Sequence, residues 1–305
     1  MSTITRTHSS KAWLESLRPR TLPLAFASIL TGSAVAGLQG YFHPFIALLA
    51  LLTAGTLQIL SNLANDYGDA IKGSDKPDRL GPMRGMQKGL ITPQQMKRAI
   101  IITVLVSIIL GCCLIAVACQ KPSDILGFLL LGLLSIAAAI TYTVGTRPYG
   151  YMGLGDASVL IFFGWISVAG TYYLQSGHFN VIVMLPATAS GLLATAVLNI
   201  NNLRDIESDR VNGKNTLAVL LGPRNARLYH LGIIVASVAC LVVFTLYHLR
   251  GWSDWLFLLA IPMLLNHARH VVSSPNAASI RPLLGQMVQA ALLTNVLFAL
   301  GLSLS

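Results

Sequence analysis

Charged side chains are what this sequence has least of. Lys and Arg number 21 and Asp and Glu 11 among 305 residues, 10% in all, where a water-solvated domain carries about 25%. With 54% hydrophobic residues and a mean hydropathy of +0.67, that scarcity excludes an ordinary soluble globule. Cysteine is sparse as well. Cys112, Cys113, Cys119 and Cys240 all lie in apolar runs with no CxxC or Cys/His ligand spacing, which excludes a zinc or dithiol centre and leaves them as packing residues. There is no Gly-Lys-Ser/Thr ending to a glycine-rich loop and no strand-loop-helix setting for a dinucleotide fingerprint, so a nucleotide fold is excluded. The net charge of +10 comes without a basic helix or an aromatic-interleaved basic face, so no nucleic-acid partner is expected. The first 20 residues lack an apolar core followed by a small-residue cleavage site, so no removable signal peptide is expected.

What is present is a series of long apolar segments, near 22–40, 44–64, 97–119, 124–144, 157–175, 180–203, 229–248, 254–272 and 283–303. Each approaches the ~20 residues that span a bilayer. The expected fold is therefore an all-α membrane protein, a single bundle of nine transmembrane helices over 22–305. A short interfacial segment, 1–21, precedes it. Nine spans divide the cations sharply: 19 Lys and Arg fall in the N-terminus and the loops after even-numbered spans, against Lys121 and Arg250 on the other side. The positive-inside rule then makes the N-terminus cytoplasmic.

The few carboxylates are concentrated too. Asp66, Asp69, Asp75 and Asp78 follow span two, and Asp205, Glu207 and Asp209 follow span six, both on the expected cytoplasmic side. In the first cluster Asn62, Asn65, Asp66 and Asp69 stand at i, i+3, i+4 and i+7, one face of a helix. In the second, Asn202, Asp205 and Asp209 are predicted to share a helix face. Asn65-Asp66-Tyr67-Gly68-Asp69 aligns with Asn201-Asn202-Leu203-Arg204-Asp205 as a weak internal repeat. Acids at a membrane boundary are expensive unless met by cations. Carboxylate oxygens are hard ligands, and Mg²⁺ takes one or two of them while keeping places for water and phosphate. Two facing acidic ends among Lys and Arg thus suggest a site for metal and diphosphate; the plainer reading is a pair of charged helix termini capped by their loops.

Three other stretches bear on that site. Arg79, Arg84 and Lys88 are interleaved with Gly81, Gly85 and Gly89, which suits either an anion or a solvated basic loop. Gly213-Lys214 is a smaller version. Tyr142, Arg147, Tyr149 and Tyr151 link spans four and five; they read either as interfacial anchors or as a phosphate-holding arginine beside a ring face that shields a developing cation. His267 and His270 flank Arg269 with no carboxylate, as expected of a membrane-boundary position.

Taken together, these residues resemble the UbiA superfamily of intramembrane aromatic prenyltransferases, whose acidic motifs are Asn-Asp-x-x-Asp-x-x-x-Asp and Asp-x-x-x-Asp. Asn65, Asp66 and Asp69 fit the first, and Asp205 and Asp209 the second. The last aspartate of the first motif falls on Gly73, with Asp75 as its nearest substitute. Residues 13–23, 65–69, 79–89, 147–151 and 199–205 look like the branch that uses 1,4-dihydroxy-2-naphthoate as acceptor. The resemblance implies that Asn65, Asp66, Asp69, Asp205 and Asp209 hold Mg²⁺ on the diphosphate of a polyprenyl donor. It further implies that Asn62, Lys72, Arg79, Arg84, Lys88, Arg147, Asn201 and Lys214 contact that diphosphate, and that Tyr142 and Tyr149 serve the allylic cation. The implied reaction transfers the polyprenyl chain to the naphthoate with loss of CO₂ and diphosphate, at the cytoplasmic face of a bacterial inner membrane whose lipid receives the product. Two alternatives stay open: a superfamily member with another aromatic acceptor such as 4-hydroxybenzoate, and an ion-coupled transporter using its intramembrane acids.

Overall fold

Proline and small polar caps set where the helices begin. The structure, a computed structural model, describes residues 2–73 and 83–305, with side chains from Ser10 onward. Among the described residues it is all-helical, with no strand. The helices are α1 (Ser2–Leu17), α2 (Leu22–Leu38), α3 (Pro44–Lys72), α4 (Pro93–Ala118) and α5 (Pro122–Thr141), then α6 (Gly155–Ser176) and α7 (Val181–Arg204). The short α8 (Ile206–Val211) is followed by α9 (Leu217–His248), α10 (Trp252–Ser273) and α11 (Ala277–Leu304). Pro44, Pro93 and Pro122 stand in the first turns of α3, α4 and α5, where a missing N–H is harmless and φ is already helical. Thr92 and Gln95 close a reciprocal capping box on α4.

Eight of these helices are long and apolar enough to cross a membrane, and a ninth follows if residues 10–17 and α2, bent by 43°, count as one span. Two expected boundaries change. α3 runs to Lys72 rather than 64, because Gly73 at φ +68 supplies its left-handed cap. The helix expected from 229 begins at Leu217 and is broken at Gly222 (φ 75, ψ 165), which the following Pro223 requires.

The helices of the bundle meet through small residues. Ala25, Ser28, Gly32 and Ala36 of α2 and Ala187, Ser190, Gly191 and Ala194 of α7 are buried, and close backbone approach replaces the hydrophobic drive that lipid does not supply. Polar side chains join the same seam: Ser28 and Ser190 lie 3.2 Å apart and Thr31 donates to Asn295 of α11 at 3.0 Å. α5 buries none of its residues, and Ile102, Leu105, Ile109, Leu126, Leu130 and Leu133 of α4 and α5 are exposed, as suits a lipid-facing edge. All four cysteines are free, with Cys112 and Cys113 exposed.

One small core governs the first acidic end. Ala12, Leu63, Ile91 and Met96 are buried together, with Trp13, Leu17 and Tyr67 against them, so α1 and the turn after residue 83 are pressed onto α3. Further along the bundle α6 meets α7 through two glycines. A Cβ at Gly164 would sit 2.5 Å from the Ala187 carbonyl oxygen and 2.9 Å from the Gly191 Cα. Gly164→Val is therefore expected to lower the thermal midpoint of the purified protein by the equivalent of about 2–3 kcal/mol, whereas Gly111→Ala, which meets nothing within 4 Å, should leave it unchanged.

Candidate active site

Asp66 is the most enclosed of the motif acids. Its side chain is fully inaccessible, and its Oδ1 receives Arg18 Nη2 and Arg84 Nη1, each at 2.5 Å. Arg84 also reaches Asp69 Oδ2 at 3.5 Å. Arg84 arrives through a tight turn in which its own N–H donates to Gln87 Oε1 at 2.8 Å and Leu90 N donates to the Gly85 carbonyl. Arg18 arrives through the corner between α1 and α2, where it adopts φ +50, a left-handed conformation uncommon outside glycine. Thr21 holds that corner, donating to the Arg18 carbonyl through both its N–H and its hydroxyl.

Asn62 fixes the same corner and is consumed in doing so. Its Nδ2 donates to the Leu17 carbonyl at 2.9 Å and to Thr21 Oγ1 at 3.1 Å, while Oδ1 accepts from Gln58. It is a positioning residue for Arg18, with no free atom for the diphosphate expected of it. Asn65 is tied through Oδ1 to the Thr143 hydroxyl at 3.1 Å, which also donates to the Ala64 carbonyl. Gly68 makes this contact possible, since a Cβ there would lie 2.8 Å from the Thr143 backbone.

The second acidic end differs from its expected form. α7 stops at Arg204, Asp205 takes a non-helical conformation (φ −98, ψ 9), and α8 restarts at Ile206, so Asn202, Asp205 and Asp209 do not share one continuous face. At the interruption Arg204, itself 6% exposed, folds back on its neighbour as a fork, Nε to Asp205 Oδ1 at 2.7 Å and Nη2 to Asp205 Oδ2 at 2.5 Å. Arg204 Nη2 also donates to Asn201 Oδ1 at 2.8 Å. Asp209 lies 3.9 Å from Lys214 Nζ, and its carbonyl accepts the Lys214 N–H at 2.8 Å.

Tyr151 joins the two ends. Its hydroxyl donates to Asp69 Oδ1 at 2.9 Å, its carbonyl accepts from Asn215 N at 3.1 Å, and Lys72 and Lys214 lie over its ring, 4.7 and 5.2 Å from the centroid. Cations from both acidic segments therefore share one aromatic face. Tyr142, just past the end of α5, lies in the field of Asp69 and Asp209 alike. Burial, reinforced by Asp156, the Tyr149 phenol, Asp69 and Asp209, raises its pKa far above the ordinary range, so it stays a neutral phenol. Tyr149 stands edge-on to it, ring centres 5.3 Å apart, and its own pKa is also raised by burial, with the Ser158 hydrogen bond acting the other way. The Tyr149 hydroxyl is occupied by the Ala138 carbonyl and Ser158, which makes it a brace for Tyr142.

Not every expected residue joins the site. Lys88 pairs with Glu15 of α1 at 2.6 Å, and Arg147 is exposed with no ion partner among the described residues. Arg79, Asp75 and Asp78 lie outside the described residues. Gly73, at the family's third acidic position, is the left-handed cap of α3, a place where an aspartate would be strained. Arg18 and Arg204 were given no site role from the sequence, and Tyr151 only a place in the tyrosine cluster; the signal for Arg204 was its place inside the second motif. His267 is fully buried and bonded to His230 at 3.0 Å, a partner the sequence did not suggest.

The donor set suits Mg²⁺. Asp66 Oδ2 is buried with no hydrogen-bond partner, an oxygen that a cation would satisfy. No three acidic, His or Cys groups converge on one metal position among the described residues, which matches an ion held by one or two carboxylates and completed by phosphate and water.

The sequence matches the UbiA prenyltransferase family over residues 25–299. The chain belongs to the UbiA prenyltransferase family. This UbiA-family chain is 63% identical over 296 residues to the 1,4-dihydroxy-2-naphthoate octaprenyltransferase of Escherichia coli, covering 97% of this chain and 96% of that one. It is 52% identical to the Haemophilus influenzae enzyme of the same name, covering 96% of each. Its fold is that of a UbiA homolog from Aeropyrum pernix (TM-score 0.62, 17% identity, 90% of this chain and 96% of that one). It is likewise that of an Archaeoglobus fulgidus UbiA homolog bound to DMAPP and Mg²⁺ (TM-score 0.59, 16% identity, 94% and 98%).

Removing Arg204 breaks the buried fork on Asp205. Arg204→Met is expected to destabilise this UbiA-family chain by about 3–5 kcal/mol in thermal unfolding, while Arg147→Ala should leave the midpoint unmoved.

Proposed function

We propose that the chain transfers a polyprenyl group from polyprenyl diphosphate to 1,4-dihydroxy-2-naphthoate, releasing CO₂ and diphosphate and yielding the prenylated naphthoquinol, the reduced form of demethylmenaquinone. The observation that carries this reading is near full-length likeness, at 63% identity, to an octaprenyltransferase of that name. The buried acids described above give the likeness a chemical basis. We place the active site at the cytoplasmic face of the bacterial inner membrane, because 19 of 21 cations fall on that side of a nine-span topology. Water-soluble diphosphate and aromatic acid then meet at the boundary where the greasy product remains in lipid.

Asp66 and Asp69 from α3, with Asn65, and Asp205 and Asp209 at the end of α7, are the groups assigned to Mg²⁺. When bound there, the ion supplies Lewis-acid neutralisation of the diphosphate leaving group. The protein's own cations do the rest of that work. Arg18 and Arg84 lie against Asp66, and Lys72 and Lys214 share the Tyr151 face; all four are placed to receive phosphate oxygens as the allylic C–O bond lengthens. Tyr142, a neutral phenol, presents a ring to the allylic cation without a nucleophilic phenolate, and burial keeps water from quenching it.

The transporter alternative is disfavoured because the acids sit at helix ends, paired with arginine, rather than in mid-span as coupling sites do. The acceptor is tested by supplying the purified protein with polyprenyl diphosphate and either 1,4-dihydroxy-2-naphthoate or 4-hydroxybenzoate. Turnover with the naphthoate alone, accompanied by CO₂, is the expected result; turnover with the benzoate alone rejects the assignment. EDTA should abolish product formation and Mg²⁺ restore it. Asp69→Ala and Asp205→Ala should each lower turnover by on the order of 100-fold or more, and unchanged rates would remove these carboxylates from the mechanism.

A further inference from the structure

One buried acid has no part in the site as described. Asp156, in the first turn of α6, is 4% exposed; its carboxylate meets the Tyr229 phenol, beyond that phenol its oxygens have no hydrogen-bond partner among the described residues, and no cation pairs with it there. Its position is tightly determined. Thr195 of α7 donates to the Asp156 carbonyl at 3.4 Å, and the Gly164 and Gly191 contact locks α6 to α7 two turns further on. The π-helical stretch Leu160–Ala169 follows at once, a local rewinding frequent at functional sites. A Cβ on the adjacent Gly155 would lie 2.9 Å from the Tyr142 hydroxyl oxygen. Asp156 also lies in the field of the Tyr142 phenol.

A buried carboxylate with one phenol and no cation against it is costly unless a ligand also donates to it. Of the three chemical parts of the reaction, only one can do so. Diphosphate is an anion and is repelled, the prenyl chain has no donor, and the acceptor ring carries hydroxyl groups. We propose that Asp156 is the base that takes the ring-hydroxyl proton of the aromatic acceptor and later returns it. The assignment rests on the acceptor reading above.

The ring carbon bearing the carboxylate attacks the allylic carbon, whose C–O electron pair has left with diphosphate. As this C–C bond forms, the neighbouring O–H proton passes to Asp156 and the hydroxyl carbon becomes a carbonyl, β to the carboxylate. The bond to CO₂ then breaks, its electron pair flows through the ring to that carbonyl oxygen, and the oxygen takes the proton back from Asp156. No oxidant or reductant is required, and Asp156 ends as it began.

The test compares Asp156→Asn and Asp156→Glu with the unaltered protein in lipid nanodiscs with Mg²⁺. Asparagine keeps the shape but cannot hold the proton, so kcat should fall by about 10²–10⁴-fold with the KM for polyprenyl diphosphate and the thermal midpoint unchanged. Glutamate should recover at least tenfold over asparagine. An asparagine variant within threefold of the unaltered protein overturns the proposal. So does a glutamate variant no better than asparagine, or a loss confined to thermal stability and donor KM, because each points to a packing role. If the unaltered protein fails to turn over the naphthoate, the acceptor reading itself falls, and this assignment with it.

Discussion

The structure is arranged around the expense of burying carboxylates at the ends of apolar helices. Asp66 is fully enclosed, Asp205 is 3% exposed and Asp69 4%, and such groups persist only when paired or ligated. Arginine meets the need at each end, from different directions. At the first end Arg18 and Arg84 come from segments on opposite sides of α3 in the chain. At the second, Arg204 bends back on the adjacent Asp205, where the helix is interrupted. Pairing of this kind leaves specific oxygens over, and the unpartnered Asp66 Oδ2 is one of them.

Several features that look unrelated follow from that arrangement. Asn62 spends all its hydrogen-bonding capacity on the α1–α2 corner so that Arg18 can be held in a left-handed turn over Asp66. The small core of Ala12, Leu63, Ile91 and Met96 presses the Arg84 turn onto the same acid. Tyr151 carries the link across the site, bonded to Asp69 on one side and to Asn215 on the other, so the two halves of the internal repeat are joined by a residue that belongs to neither.

Much of this was legible in the sequence. The apolar runs are long, and their spacing is hard to mistake; eight of the nine segments correspond to helices that qualify alone as spans. The acids at 66, 69, 205 and 209 stood out because charge is rare elsewhere. The reading failed where a role depended on direction rather than residue type. Lys88 and Arg147 have the right charge, yet one turns to Glu15 and the other to solvent, while Asn62 spends its polarity on Leu17, Thr21 and Gln58 and Tyr149 on Ala138 and Ser158. The contacts of His267 were hidden because its partners, His230 and Gln286, lie 37 and 19 positions away.

By itself the sequence determined the helical class, the family and the clustering of acid against base, since hydropathy and charge act through composition and local spacing, which any chain displays in one dimension. Only the tertiary structure decided which cation meets which acid and that Tyr151 spans the two motifs. It also decided that Gly73 is a cap and that Asp156 is buried with no cation beside it among the described residues. Those outcomes depend on side-chain directions and on backbones approaching through glycine, and neither is set until distant segments are packed against each other.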